Sequence, residues 1–261
     1  MDGVNISMYI PLCGKAYVSG RGLFLRDEKA EQIWAAEGFA LKGKSKSKWL
    51  AFYMGIRAAV FDDWLRRQLA AAEDVGVIHL GCGLDSRVLR VGDHNCRWYD
   101  VDFAEVIQER QRYYTNSDNY RMLSGDARDC CWLEEIPKAK QGIVVLEGIS
   151  MYLTTAQLQS LMAALRDHFA QLNVLVDCYS VMAAKASKYK NPINDVGVTQ
   201  VYGLDDPALL QQGKLVFVQE HTMTPQAYID QLKGMEKFVF SKLYAGSLSK
   251  KLYRLFEYQK G

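Results

Sequence analysis

Short apolar runs separated by helix-like stretches organise the chain from Val75 onward. The runs are "VGVIHL" (75–80), "CRWYDV" (96–101), "YRML" (120–123), "GIVVLE" (142–147) and "NVLVDC" (173–178). Between them, segments 85–91, 103–114, 154–171 and 181–189 read as helices. Strands alternating with helices predict a parallel sheet wound by right-handed crossovers. Strands buried on both faces read as continuously apolar, as these do. "KLVFVQEH" (214–221) and "KLYRLFEYQ" (251–259) add two late strands. In the second, Leu252, Arg254, Phe256 and Tyr258 interleave with Tyr253, Leu255 and Glu257, so both faces carry large side chains. An antiparallel pair at a sheet edge suits them.

The chain before Val75 reads as helical. Trp49, Phe52, Ile56, Val60 and Trp64 recur at spacings of three and four, one face of a long amphipathic helix. "KGKSKSK" (42–48) reads as a basic loop leading into it. The expected architecture is α/β and Rossmann-like, with seven mostly parallel strands. It forms a single domain over 1–261, with a helical N-terminal cap (1–74) and a sheet core (75–261). The irregular segment Val181 to Asp206 is a candidate lid or acceptor wall between the fifth and sixth strands.

Composition narrows the class. Of 261 residues, 49% are apolar and 24% charged, which is ordinary globular usage. A net charge of +2 does not point to nucleic acid or an acidic membrane surface. The cysteines at 13, 82, 96, 130, 131 and 178 form no CxxC, and the histidines at 79, 94, 168 and 221 form no HExxH, so no metal is expected. "MDGVNISMYIPL" carries an acid at position 2 and does not read as a secretory signal. Reduced thiols and a cytoplasmic location are expected, with no membrane partner.

The strand ends carry the candidate chemistry. "VIHLGCGLDSR" (77–87) places Gly81 and Gly83 where a strand hands over to a helix, which lets a ligand approach the main chain closely. Ser86 stands where a dinucleotide fingerprint requires glycine, and Asp85 puts a carboxylate where a pyrophosphate would lie. This favours a nucleotide-like ligand without phosphates. Asp100 and Asp102 end the second strand. One can hold ribose hydroxyls and the other can cap the helix starting at Phe103, with Asp102 preferred for the ribose. "SGDARD" (124–129) offers Asp126 and the Ala127 backbone to an adenine. Glu147 follows four apolar residues, a costly place for a carboxylate unless it is paired or faces a ligand. These residues fall on one edge of the sheet, a set suited to an adenosine-bearing cofactor.

"GCGLDSR", "DVDF", "GDARD" and "LEGISMYLT" resemble, in order, the motifs of the leucine carboxyl methyltransferase family of S-adenosylmethionine-dependent O-methyltransferases. "IPLCGKAYVSGRGLFLRDEKAEQIW" resembles the signature of its bacterial branch, which includes tetracenomycin-type polyketide O-methyltransferases, and "GIRAAVFDDWL" resembles the family's Arg-containing helix. The resemblance implies a class I methyltransferase fold and S-adenosyl-L-methionine as cofactor. It implies that Arg57 and Lys15 bind the cofactor's carboxylate, that Gly81 and Gly83 let its methionine part pass, and that Asp102 holds the ribose. Asp126 and Ala127 would hold the adenine and Glu147 the amino end, while Asp85 and Arg87 would form a stiffening ion pair. Ala104 and Glu105 stand where relatives often carry proline.

A carboxylate acceptor needs no catalytic base, because it is ionised near pH 7. A carboxylate is therefore the expected acceptor group, the resemblance implies a small or polyketide-like acceptor molecule, and no catalytic side chain is named. A phenol would prefer a general base, for which His221 is the candidate. Met151 and Tyr152 can line the acceptor pocket. Two other readings compete: an NAD(P)-binding Rossmann oxidoreductase and a non-catalytic cofactor-binding partner protein.

Overall fold

A computed structural model describes residues 7–37, 46–91, 96–187 and 200–261. Three helices come first: α1 (Tyr9–Gly20), α2 (Glu28–Glu37) and α3 (Lys48–Ala70). The sheet follows as β1 (Val75–Leu80), β2 (Cys96–Asp102), β3 (Tyr120–Ser124), β4 (Gln141–Leu146), β5 (Gln171–Tyr179), β6 (Val216–His221) and β7 (Tyr253–Lys260). Its order is β3-β2-β1-β4-β5-β7-β6. The first five strands pair in parallel, and β7 runs antiparallel to both β5 and β6. The late pair thus lies at one edge, as the large side chains on both faces of β7 suggest.

Alternation divides the core. On β1 and β4, Val75, Val77, Ile143 and Val145 face the helical N-terminal layer with Phe52, Ile56 and Trp64 of α3. Ile78, Leu80, Val144 and Leu146 face the other side, against Leu158, Leu161, Met162 and Leu165 of α6 (Thr155–His168). Both halves are dry, which is why the central strands lack polar alternation. Gly76 and Gly142 stand opposite one another in β1 and β4. The Phe169 ring fills the space above them, and a Cβ on Gly142 would come within 2.4 Å of it. Thr154 and Gln157 close a reciprocal capping box at the start of α6, worth about 1 kcal/mol.

The remaining helices frame one end of the sheet. These are α4 (Arg87–Val91), α5 (Ala104–Arg110), α7 (Val181–Ser187), α8 (Gln226–Ile229), α9 (Gly234–Leu243) and α10 (Ser247–Leu252). The helices after β2 and β4 are shorter than their apolar patterns suggest, and the last strand starts at Tyr253 because residues 247–252 are helical. The segment expected to be irregular from Val181 begins as α7, and its residues 188–199 lie outside the described residues, as do 42–45 of the basic loop and His94. No described helix is long and apolar enough to cross a membrane.

Candidate active site

The ends of β1 to β4 open onto a cavity of about 650 Å³. Lys15, Arg57, Gly81, Gly83, Asp102, Asp126, Ala127, Glu147, Met151 and Tyr152 all line it. The sequence selects these residues from six separate stretches, and the wound sheet brings them to one hollow.

The glycine turn is fixed by its backbone and by its neighbour. Gly81 and Gly83 take φ of +71° and +50°, a region costly for other residues. A Cβ on Gly81 would lie 2.0 Å from Cγ2 of Ile149, in the loop after β4. The turn and that loop therefore pack backbone against side chain with no room between them.

Asp102 lies at the adjoining strand end. Its Oδ2 accepts the Gly83 amide at 2.8 Å, and its Oδ1 accepts the Phe103 amide at 2.8 Å. Burial raises its carboxyl to about 6, against the opposing pull of those two amides. Among the described residues no cation pairs with it. Each oxygen keeps lone-pair capacity for a neutral donor such as a hydroxyl. Asp100 corrects the expectation of a helix cap: it is fully buried, pairs with Arg110, and accepts from Trp98 at 2.9 Å and Tyr120 at 2.8 Å. The Phe103 cap has no side-chain hydrogen bond.

The floor is a buried ion network. Lys15 Nζ reaches Asp85 at 2.7 Å, and Arg57 Nε donates to Glu147 Oε1 at 2.8 Å. Arg87 binds Asp62 at 2.7 Å, Asp85 at 3.6 Å, and Glu147. Arg90 ties Asp27, Asp62 and Asp85 together at 2.6–2.7 Å. The Asp85–Arg87 pair expected from the sequence is therefore one link of a larger lattice. Burial alone would raise the Glu147 carboxyl, but Arg87 and Arg57 outweigh it and hold it below the ordinary carboxylate range. Asp85 is likewise held low against its burial by Arg90, Lys15 and Arg87. Burial lowers the Lys15 ammonium, with Asp85 opposing. Removing one member of such a lattice leaves an uncompensated buried charge.

Asp126 sits at the rim with Ala127. The Arg128 amide and guanidinium both donate to it at 2.9 Å, which lowers its carboxyl. Arg128 lies 5.9 Å from the Phe103 ring centroid.

Opposite the floor the lining turns aromatic. Tyr53, Tyr152, Tyr179, Tyr244 and Tyr253 contribute, with Leu50, Met54, Met151 and Leu252. The Tyr53 and Tyr253 rings stack at 6.2 Å, and Tyr179 meets Tyr253 edge-on at 4.8 Å. Arg57 joins floor to wall: its Nη1 donates to the Tyr253 hydroxyl at 2.9 Å. That hydroxyl donates to Asp177 Oδ2 at 2.6 Å. Burial raises Asp177 to about 6, opposed by Arg57. Ala183, Ala186 and Ser187 of α7 complete the lip, so the helical start of the candidate lid lines the cavity, while its described residues 200–206 do not.

Apart from Met151 and Tyr152, sequence reasoning missed this wall. Tyr53 and Tyr253 sit inside periodic patterns and read as core. Asp177 ends an apolar run just as Glu147 does, and that signal was available. His221 is excluded from the site: it contacts Glu257 at 2.6 Å and is not part of the cavity lining.

Comparison with known proteins places the chain. The family model of leucine carboxyl methyltransferase matches residues 15–166. The tetracenomycin polyketide synthesis O-methyltransferase TcmP of Streptomyces glaucescens is 31% identical over 186 residues, covering 70% of this chain and 69% of that one. The S-adenosyl-L-methionine-dependent methyltransferase dpfgK of Gibberella zeae is 27% identical over 187 residues, covering 64% of this chain and 61% of that one. In structure, magnesium protoporphyrin IX methyltransferase from Synechocystis PCC 6803 matches with a TM-score of 0.52 at 12% identity, covering 90% of this chain and all of that one. The chain belongs to the leucine carboxyl methyltransferase family.

Proposed function

We propose that this family member, an S-adenosylmethionine-dependent methyltransferase, transfers the methyl group to a carboxylate oxygen of a small, aromatic, polyketide-like acceptor. The observation that carries the reading is the meeting of Asp102, Asp126 and Glu147 with the Gly81–Gly83 turn around one cavity. The residues fit the cofactor. Asp102, with only backbone donors, has lone pairs left for two ribose hydroxyls. Asp126 and the Ala127 backbone suit the adenine edge. Lys15 and Arg57 suit a carboxylate and Glu147 an ammonium, so a zwitterion would exchange partners with charges already paired on the floor.

Bound S-adenosylmethionine supplies an electrophilic methyl on a sulfonium. The protein's part is to hold and enclose. The tyrosine wall offers flat faces to an aromatic acceptor and keeps water away, which favours a step in which opposite charges cancel. Fixing the two reactants in line is worth about 7–11 kcal/mol. An acceptor carboxylate arrives ionised. A phenol would need a base, and His221, its sequence candidate, lies outside the cavity lining. The polyketide class draws support from the name of the Streptomyces relative.

The test uses labelled S-adenosylmethionine with matched aromatic acids and phenols. Label recovered as base-labile methyl ester from the acids is the expected result. Stable methyl ethers from the phenols alone would overturn the acceptor assignment. Cofactor binding without transfer to any acceptor would favour a non-catalytic partner protein. Binding of NAD in place of S-adenosylhomocysteine would restore the oxidoreductase reading.

A further inference from the structure

Arg57 is bracketed by two carboxylates, and only one of them lines the cavity. On the cavity side Glu147 takes its Nε at 2.8 Å. Tyr253, itself part of the cavity wall, accepts from Nη1 at 2.9 Å, and Asp177, which does not line the cavity, stands 3.6 Å from the same nitrogen. Asp177 is fully buried, and none of its contacts is with solvent. It accepts the Gly148 amide at 2.8 and 3.0 Å and the Tyr253 hydroxyl at 2.6 Å. Gly148 is the residue after Glu147, and a Cβ there would come within 3.3 Å of the Arg57 guanidinium. Asp177 thus fixes both the loop that carries Glu147 and, through Tyr253, the guanidinium that Glu147 holds.

We infer that Asp177 and Tyr253 are positioning residues for the amino-acid end of the cofactor. An incoming ammonium needs Glu147, and an incoming carboxylate needs Arg57. Both groups are engaged with each other in the free site. If Glu147 were the sole anchor of Arg57, taking up the ammonium would leave the guanidinium unheld and misdirected. With Tyr253 and Asp177 behind it, Arg57 can release Glu147 and still point its remaining N–H groups into the cavity. Glu147 keeps Arg87 as its second partner. The inference rests on the assignment of S-adenosylmethionine to this cavity and adds two residues that no motif marks.

The groups facing Asp177 are Arg57 and Tyr53 from α3, Glu147 beyond β4, Tyr152, the neighbouring Cys178 of β5 and Tyr253 of β7. Its carboxyl lies at about 6 in the free protein. Protonating it removes the charge that holds Arg57 from behind, so affinity for the amino-acid end falls as pH drops through that value. Asp102 titrates in the same range, but it serves the ribose. Two ligands separate the two carboxylates. S-adenosylhomocysteine carries the amino-acid end, and methylthioadenosine lacks it while keeping the adenosine.

Calorimetric titration of both ligands into the full-length protein, Asp177→Asn and Tyr253→Phe, across pH 5–8, tests the assignment. Asp177→Asn is expected to weaken S-adenosylhomocysteine about tenfold or more, the scale of a hydrogen bond to a charged group, and Tyr253→Phe a few-fold. Methylthioadenosine affinity stays within about twofold in both. The ratio of S-adenosylhomocysteine to methylthioadenosine affinity falls as pH drops from 8 to 5 in the wild type and is flat in Asp177→Asn. Equal losses for both ligands, or no loss for S-adenosylhomocysteine, would overturn the positioning role. Tyr253→Phe keeps the ring contacts with Tyr53 and Tyr179 and carries the test if Asp177→Asn does not fold. A wild-type protein that binds neither ligand would instead remove the cofactor assignment itself, and this proposal with it.

Discussion

The floor of the cavity and its aromatic wall are built on opposite principles. In the floor, most charged side chains hold two or more others, and few of them touch solvent. Its geometry is specified by charge: Arg87 alone fixes Asp62, Asp85 and Glu147. The wall is made of large side chains in ring-to-ring contact, such as Tyr244 stacked on Phe240 at 5.6 Å. Such contacts are individually weak and tolerant of shape. The floor is suited to a ligand of fixed charge, the wall to one recognised by shape.

Removing a charge from the floor should have the largest effect. Arg87→Met leaves Glu147, Asp62 and Asp85 short of a partner and is expected to cost about 3–5 kcal/mol in urea unfolding. A cost below about 1 kcal/mol, the size of an exposed pair, would erase the distinction between the two regions.

Asp102→Asn probes the one floor carboxylate without a cation. S-adenosylhomocysteine is expected to bind about tenfold more weakly. The folded carboxyl, raised to about 6, binds a proton that the unfolded chain binds only near 3.8. Ionisation therefore works against the fold above that range. As pH falls through about 6, the wild type should gain stability relative to Asp102→Asn, as read by unfolding curves at pH 7 and 5. A pH-independent difference would mean that the carboxylate is solvated.

The smallest effect on the fold is expected from the wall. Tyr244→Ala should change stability by about 1 kcal/mol or less and leave the cofactor's affinity intact, while raising the KM of an aromatic acid several-fold. An equal effect on cofactor and acceptor would show that the wall does not belong to the acceptor.

The wound sheet was legible because buried parallel strands cannot hide their apolar runs. The candidate cofactor edge was legible because glycine pairs and carboxylates are conspicuous at strand ends. The fate of each carboxylate was not. Asp100 and Asp102 look alike in "WYDVDF", yet Asp100 meets Arg110 from α5 and Asp102 meets backbone amides. That difference depends on a helix that the strand pattern does not place. The tyrosines escaped because aromatic residues at core spacing read the same whether they face a packed interior or a hollow. Tyr53 and Tyr253 lie 200 residues apart and meet only when β7 inserts beside β5.

Lys15 reaches from the first described helix to the acid beside the glycine turn, and Asp27 reaches from the start of the second to Arg90. The amino-terminal helices are thus welded to the candidate cofactor edge by charge as well as by grease. A minimal module trimmed to begin at β1 would retain all seven strands and still be no miniature of the whole. It would uncover the hollow from below, strand Asp85 without its ammonium and leave Arg90 with one of its three carboxylates.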